Sequence, residues 1–147
     1  RNQLNLKHAT SSEFDKKGLH IIGLINEWTR DGKKIRGTDK DLGGTMRLGS
    51  YDAKLNKNSM IKKIYKKNII KERHRHRYEV NIAFKEKFEK NGMYFSGLSP
   101  DGELPEIIEL KDHPWFIGVQ FHPEFKSRPL APHPLFSSFI KASKNHK

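Results

Sequence analysis

Short apolar runs that alternate with turn residues limit what this chain can fold into more than any other feature of its sequence. Most of these runs have the length of a strand and end near Gly, Pro, Asn or Asp. The predicted strands cover residues 18–25, 45–55, 72–81, 93–98, 104–110 and 116–121, and the predicted helices cover residues 59–67, 83–91 and 135–143. We expect the first strand to be buried and residues 29–44 to form a long polar loop. The pattern predicts a strand-rich α/β domain with hairpin-like turns.

Composition narrows the chemistry that the chain can perform. Its 147 residues are enough for one domain with its own core, and no apolar run is long enough to span a bilayer. Cysteine is absent, which excludes disulfides, thiolate metal sites and a cysteine nucleophile on this chain. The net charge of +12 comes from 21 Lys and only 8 Arg. We interpret it mainly as a solvated lysine surface, with a basic nucleic-acid-binding module as the alternative.

A His-Pro-Glu triplet follows the last predicted strand. Pro123 restricts the backbone of His122 to an extended conformation, and residues two apart in an extended segment face the same way. Glu124 can therefore accept a hydrogen bond from one ring nitrogen of His122, which leaves the other nitrogen for a nucleophile. The alternative interpretation is a structural histidine in a turn.

Alternating arginines and histidines occupy the strand predicted over residues 72–81. Three arginines share one face, and two histidines and a tyrosine share the other: Arg73, Arg75, Arg77; His74, His76, Tyr78. The histidines lack a third ligand nearby, so support for a metal site is poor. The arginines could bind phosphate or an α-carboxylate, or they could form an ion-pair ladder with Glu72 and Glu79. The residues alone favour the ion-pair ladder.

A pair of glycines, Gly43 and Gly44, precedes the strand predicted from residue 45. Consecutive glycines permit backbone conformations closed to other residues and the close approach of a partner. The segment lacks the Lys-Ser/Thr ending of a phosphate-binding loop and the spacing of a dinucleotide-binding motif. A plain turn at the start of the strand is the alternative interpretation.

Taken together, these segments resemble one enzyme family. Segments 42–49, 72–81, 106–116, 120–125 and 133–136 occur in the order and spacing of the CTP synthase family, and the resemblance covers Ser12 to about Ala142. It corresponds to the later part of the C-terminal glutaminase domain of that family. It implies an α/β class I glutamine amidotransferase fold, which is flavodoxin-like, of which only the C-terminal portion lies within residues 1–147.

The resemblance also implies roles for individual residues. The family uses a Cys-His-Glu triad, in which His122 would be the general base and acid and Glu124 its orienting carboxylate. Glu13 matches a residue that contacts glutamine, and Arg77 matches the arginine that binds the glutamine carboxylate. The segment from Arg36 to Gly44 resembles a lid that responds to GTP, an allosteric activator. The elbow that carries the cysteine is expected to precede Arg1.

In this family, ammonia from L-glutamine passes to an N-terminal synthetase domain, where ATP, with Mg²⁺, activates UTP for amination to CTP. The resemblance therefore implies no cofactor and no metal on this segment. It also implies a cytoplasmic homotetramer when full length, without a membrane partner and with nucleic acid a less favoured partner. The isolated segment is predicted to be inactive. An inactive scaffold that keeps the fold is the remaining alternative.

Overall fold

The computed structural model describes residues 1–24, 27–30, 33–36 and 46–146. Its strands are β1 (Ala9–Ser11), β2 (Leu19–Leu24), β3 (Glu27–Arg30), β4 (Lys33–Arg36), β5 (Arg47–Leu55), β6 (Ile69–His76), β7 (Tyr78–Val80), β8 (Met93–Leu98), β9 (Pro105–Leu110) and β10 (Ile117–Val119). Its α-helices are α1 (Met60–Tyr65), α2 (Lys85–Lys90) and α3 (Pro134–Asn145), and two 3₁₀ turns cover Ile82–Phe84 and Pro123–Lys126.

A five-stranded antiparallel sheet forms the centre of the described structure. Its strand order is β10-β9-β8-β5-β6, and β5 and β6 pair along nearly their whole length. The main core joins this sheet to α1 and α3 through seven buried apolar side chains: Ala53, Leu55, Ile61, Ile70, Ile107, Phe121 and Leu135. Burying a large aliphatic or aromatic side chain contributes about 1.5–3 kcal/mol, so this cluster holds the helices on the sheet.

A smaller three-stranded sheet has the order β1-β2-β7, with β1 and β2 parallel and β7 antiparallel to β2. A second core lies beside it, where Leu4 and Phe88 pack with Phe95 of β8. Ile21 of β2 and Val80 of β7 pack against this second core. The second core therefore ties the smaller sheet and α2 to the larger sheet.

Local sequence signals explain the ends of the helices. The Ser59 side chain accepts a hydrogen bond from Lys62 N at 3.2 Å and begins α1. The Glu109 carboxylate of β9 accepts from Met60 N at 2.8 Å and from Ile61 N at 3.0 Å, which satisfies two further N–H groups of that first turn. Gly92 follows α2 with φ near 80°, a conformation that favours glycine.

The structure confirms the predicted strands and helices in type, with two corrections. Strand β2 is not buried, since Leu19 is 41% exposed and Ile22 is 38% exposed. The predicted polar loop over residues 29–44 is wrong for its first part, because β3 and β4 pair as antiparallel strands from Glu27 to Arg36. Backbone hydrogen bonds hold such a pair whatever its side chains, so polar composition concealed it. Residues 37–45 lie outside the described residues.

Candidate active site

His122 and Glu124 lie just beyond the end of β10. His122 N donates to Arg73 O of β6 at 2.8 Å, which fixes the backbone at this point. His122 Nδ1 lies 2.7 Å from Glu124 Oε1, and the imidazole ring stacks on Phe125 with a centroid separation of 5.0 Å. Because Nδ1 contacts the carboxylate, Nε2 is the ring nitrogen left for a reacting group.

The predicted contact between His122 and Glu124 is present, but its geometric cause differs from the prediction. His122 is extended, with φ −107° and ψ 93°, as the following Pro123 requires. Pro123, however, begins a 3₁₀ turn that reaches Lys126. The tight turn, rather than a continuous extended strand, brings Glu124 beside the ring.

The environment of Glu124 favours its ionised form. Burial alone would raise the pKa of the Glu124 carboxyl, but the hydrogen bond with His122, a backbone hydrogen bond and the charge of His122 together outweigh burial and lower that pKa below its usual range. An ionised carboxylate on Nδ1 fixes the ring tautomer and stabilises an imidazolium. The pair can therefore take up a proton at Nε2 and return it.

Arg77 lies at the break between β6 and β7. Its guanidinium is partly buried, and Nη1 is buried without a hydrogen-bond partner among the described residues. Arg73 and Arg75, by contrast, are exposed on β6. A buried guanidinium N–H group without an acceptor carries a desolvation cost, and an anionic ligand would remove it.

Glu13 is exposed in the turn after β1, where its N–H donates to Ser11 Oγ at 3.2 Å. Within the described residues no hydrogen bond or ion pair joins it to His122, Glu124 or Arg77. Of the segment predicted as a lid, the structure describes only Arg36, the last residue of β4, and the remainder lies outside the described residues.

A buried polar cluster lies next to these residues, and sequence reasoning missed most of its members. Arg47 of β5 is 2% exposed; its Nη1 donates to Glu79 Oε1 at 3.1 Å and its Nη2 to Glu106 Oε1 at 2.6 Å. The guanidinium also lies over the Tyr51 ring, 4.6 Å from the centroid. Gln120 Nε2 donates to Glu79 Oε2 at 2.9 Å. Opposite charges are buried together here, which makes each one dependent on the others.

The two histidines predicted to share a face lie in this cluster. His76 Nδ1 faces Tyr78 O at 3.1 Å, so it carries the proton and Nε2 accepts. His74 Nδ1, 2.8 Å from that Nε2, must then donate, which leaves His74 Nε2 without a proton, 3.5 Å from Glu106 Oε2.

Burial also shifts the pKa values of the histidines and glutamates in this cluster. Burial, together with the positive charge of Arg47, lowers the pKa of His74 to about 3 and that of His76 to about 4. Burial raises the pKa of Glu79 to about 7 although Arg47 opposes the shift, and it raises the pKa of Glu106 in the same way. The histidines are therefore neutral at physiological pH.

The ion-pair ladder predicted from the arginines of β6 is wrong. Glu79 pairs with Arg47 rather than with those arginines. Glu72 pairs elsewhere, since its Oε1 contacts His133 Nε2 at 3.3 Å and Lys126 Nζ at 3.2 Å. The side chains alternate across the strand, so the glutamates at positions 72 and 79 cannot both pair with the exposed arginines.

Comparison with known proteins decides the family. The model of the class I glutamine amidotransferase family matches residues 18–142. The chain belongs to this family. The sequence resemblance and the predicted fold class are thereby confirmed, whereas the roles of the individual site residues stay predictions.

This class I glutamine amidotransferase chain is similar to curated proteins named CTP synthase. It is 88% identical over its whole length to the protein of Pelagibacter ubique and 61% identical over 97% of its length to that of Zymomonas mobilis. It spans 27% and 26% of these relatives. The chain is a C-terminal portion of a glutaminase domain like that of CTP synthase.

A solved structure agrees in fold. The glutaminase domain of Trypanosoma brucei CTPS, determined with bound acivicin, aligns with a TM-score of 0.82 and 36% identity. The alignment covers all of this amidotransferase chain and 55% of that chain. Among the described residues, no helix is long and apolar enough to cross a membrane, and no group of side chains is arranged to hold a metal ion.

Proposed function

We propose that this chain supplies the His-Glu part of a glutaminase site in a CTP synthase, which makes CTP from UTP with ammonia from L-glutamine. The observation that carries the proposal is the 2.7 Å contact between His122 Nδ1 and Glu124 Oε1 at the end of a strand. Nη1 of Arg77, buried without a partner among the described residues, supports a role for this side chain in binding the substrate carboxylate. The proposal assigns the nucleophile to a cysteine outside residues 1–147, because these residues include no cysteine.

In the proposed mechanism, Arg77 binds the α-carboxylate of glutamine and Glu13 contacts the same substrate. His122 takes the thiol proton at Nε2 and delivers it to the leaving ammonia, while Glu124 stabilises the imidazolium at Nδ1. The same ring then activates the water that hydrolyses the thioester. Each proton transfer uses a single ring nitrogen, because the other is held by the carboxylate.

The remaining parts of the proposal concern the full-length protein. ATP, Mg²⁺ and UTP would bind a separate synthetase domain, and GTP would activate glutamine use from a site that includes the segment from Arg36 to Gly44. Within its described part, this chain offers no ligand set for a metal, and no step assigned to its residues needs one. A cytoplasmic homotetramer is proposed for the complete enzyme.

The test is to replace His122 by alanine in the full-length enzyme and to measure CTP formation with glutamine and with ammonia. We expect loss of the glutamine-dependent reaction only, because free ammonia bypasses amide cleavage. His8→Ala, at an exposed histidine, is the matched control and should leave both reactions unchanged. Equal loss with both nitrogen sources would show that His122 supports the fold rather than the chemistry.

A further inference from the structure

A partly buried hydrogen bond connects the two segments that carry Arg77 and His122. Gln120 Nε2 donates to Glu79 Oε2 at 2.9 Å, across a separation of 41 residues in sequence. We call this contact the Glu79–Gln120 bridge. Glu79 is 5% exposed, and its other oxygen accepts from Arg47 at 3.1 Å. The carboxylate therefore has one oxygen for the guanidinium and one for the amide.

The bridge joins strands that do not pair with each other. Glu79 lies in β7, which pairs with β2 in the three-stranded sheet, and Gln120 directly follows β10, which pairs with β9 in the five-stranded sheet. Backbone hydrogen bonds between β7 and β10 are thus absent among the described pairs of strands. His122 N donates to Arg73 O of β6, so the backbone fixes one side of the site, and the Glu79–Gln120 bridge is the side-chain contact that joins β7 itself to the segment after β10.

The bridge is also placed symmetrically about the candidate site. Arg77 precedes Glu79 by two residues, and His122 follows Gln120 by two residues. A movement at the bridge would displace both side chains relative to a glutamine held between them. We propose that Gln120 is a positioning residue, whose hydrogen bond to Glu79, together with the backbone hydrogen bond from His122 to Arg73, sets the separation of Arg77 from His122. This inference deepens the proposed function and rests on it.

An amide is the suitable donor at this position. Glu79 Oε1 already accepts from Arg47, and an apolar side chain at position 120 would leave Glu79 Oε2 without a partner. An amide donates a hydrogen bond without adding charge. Small displacements of this kind matter, since a misplacement of about 1 Å in a catalytic site can cost about 100-fold in rate.

The test compares Gln120→Met, Arg77→Ala and the double variant in the full-length enzyme. We expect Gln120→Met to lower kcat/KM for glutamine by roughly 10- to 100-fold and to leave ammonia-dependent CTP formation intact. In the Arg77→Ala background, the same substitution should cost less than about threefold, because the separation it sets no longer serves carboxylate binding. Gln3→Met is the control, since Gln3 is the other glutamine of the chain and is exposed.

Two results would overturn the inference: wild-type glutamine kinetics in Gln120→Met, or the same fold-loss from Gln120→Met in both backgrounds. Failure of the proposed function looks different, because Arg77→Ala would then use glutamine like the wild type. A second variant, Gln120→Glu, guards against a folding defect. It should use glutamine better at low pH than at high pH, relative to wild type, because a proton shared with Glu79 restores the bridge.

That pH profile depends on the ionisable groups packed around the bridge from β5, β6 and β9, which are Arg47, His74, His76 and Glu106. These groups also surround the bridge in wild type, so the comparison with wild type isolates the added carboxyl group. A ratio of glutamine use to ammonia use that changes with pH in Gln120→Glu as it does in wild type would contradict the proposed bridge.

Discussion

Replacing Arg47 by methionine tests how far the buried cluster depends on one cation. Arg47 is 2% exposed and lies between Glu79 and Glu106, which are 5% and 0% exposed. Methionine keeps much of the volume and the apolar stem but removes both charged hydrogen bonds, of 3.1 and 2.6 Å. The two carboxyl groups are then buried without a compensating charge.

The expected loss of stability is large. Removing one partner from a buried ion pair costs about 3–5 kcal/mol, because it leaves an uncompensated charge in the interior. The contact of Arg47 with the Tyr51 ring is lost as well, at about 0.5–2 kcal/mol. Protonation of the carboxyl groups limits the total, since neutral acids are less costly to bury. We therefore expect a decrease of about 3–5 kcal/mol in the free energy of unfolding at neutral pH.

The sign of the pH dependence follows from the direction of the pKa shifts. The folded pKa of Glu79 is already raised to about 7, so its stabilising effect is present below the unfolded pKa and is lost as pH rises through about 7. Without Arg47 the folded pKa rises further. The free energy of unfolding of the variant then continues to decrease above pH 7, whereas that of wild type no longer decreases through this group. The difference in free energy of unfolding between wild type and Arg47→Met should therefore increase by about 1.4 kcal/mol per pH unit for each carboxyl group concerned.

The assay is urea unfolding of the chain at about pH 6 and about pH 8.5, followed by the fluorescence of Trp115. Trp115 is half-buried and its Nε1 donates to Ser138 of α3 at 2.8 Å, so it reports on the core. Trp28→Phe in every sample removes the other tryptophan. Arg75→Met is the control, because Arg75 is exposed on the neighbouring strand. Two results would refute the reasoning. One is a decrease in the free energy of unfolding of Arg47→Met below about 1 kcal/mol, and the other is a difference between Arg47→Met and wild type that stays the same at both pH values.

Three further predictions concern the chemistry. The isolated chain should release no ammonia from glutamine above the blank, because it has no cysteine; release that His122→Ala abolishes would contradict this. In the full-length enzyme, Glu124→Gln should lower kcat more than it raises KM for glutamine, since the amide cannot stabilise an imidazolium; steady-state kinetics with an effect on KM alone would argue against that role. Arg77→Ala should lower kcat/KM for glutamine by roughly 10- to 150-fold and Arg77→Lys should recover part of it, whereas Arg73→Ala and Arg75→Ala should do less.

The sequence predicted most of the fold because local signals and tertiary structure agree in those segments. Short apolar runs between turn residues marked β8 and β9, and the helix predicted from residue 59 begins there, with Ser59 capping α1. The proximity of His122 and Glu124 was predicted as well, but its geometry was not, because the 3₁₀ turn that begins at Pro123 brings the carboxylate to the ring in place of an extended strand. A triplet of residue types therefore predicted which side chains meet but not the backbone conformation that brings them together.

The buried cluster was not predictable in the same way. Alternation around Arg47 favours an inward Met46 and Leu48, yet Leu48 is 64% exposed and Arg47 is buried. The partners that make this burial favourable, Glu79 and Glu106, lie 32 and 59 residues away in sequence. A hydrophobicity pattern describes a single segment, whereas the partners that stabilise this buried charge come from other segments. The pattern around Arg47 therefore could not predict its burial.

The three arginines around β6 show what periodicity alone cannot distinguish. Alternation assigns Arg73, Arg75 and Arg77 to one face, and family resemblance was needed to select Arg77. The structure supplies a physical difference: β6 ends at His76, whose Nδ1 donates to Tyr78 O, so the strand breaks at Arg77. Its guanidinium therefore leaves the exposed face, and Nη1 becomes buried without a partner among the described residues. An anion-binding arginine is recognisable by such an unsatisfied donor, which depends on where a strand ends and not on the spacing of its residues.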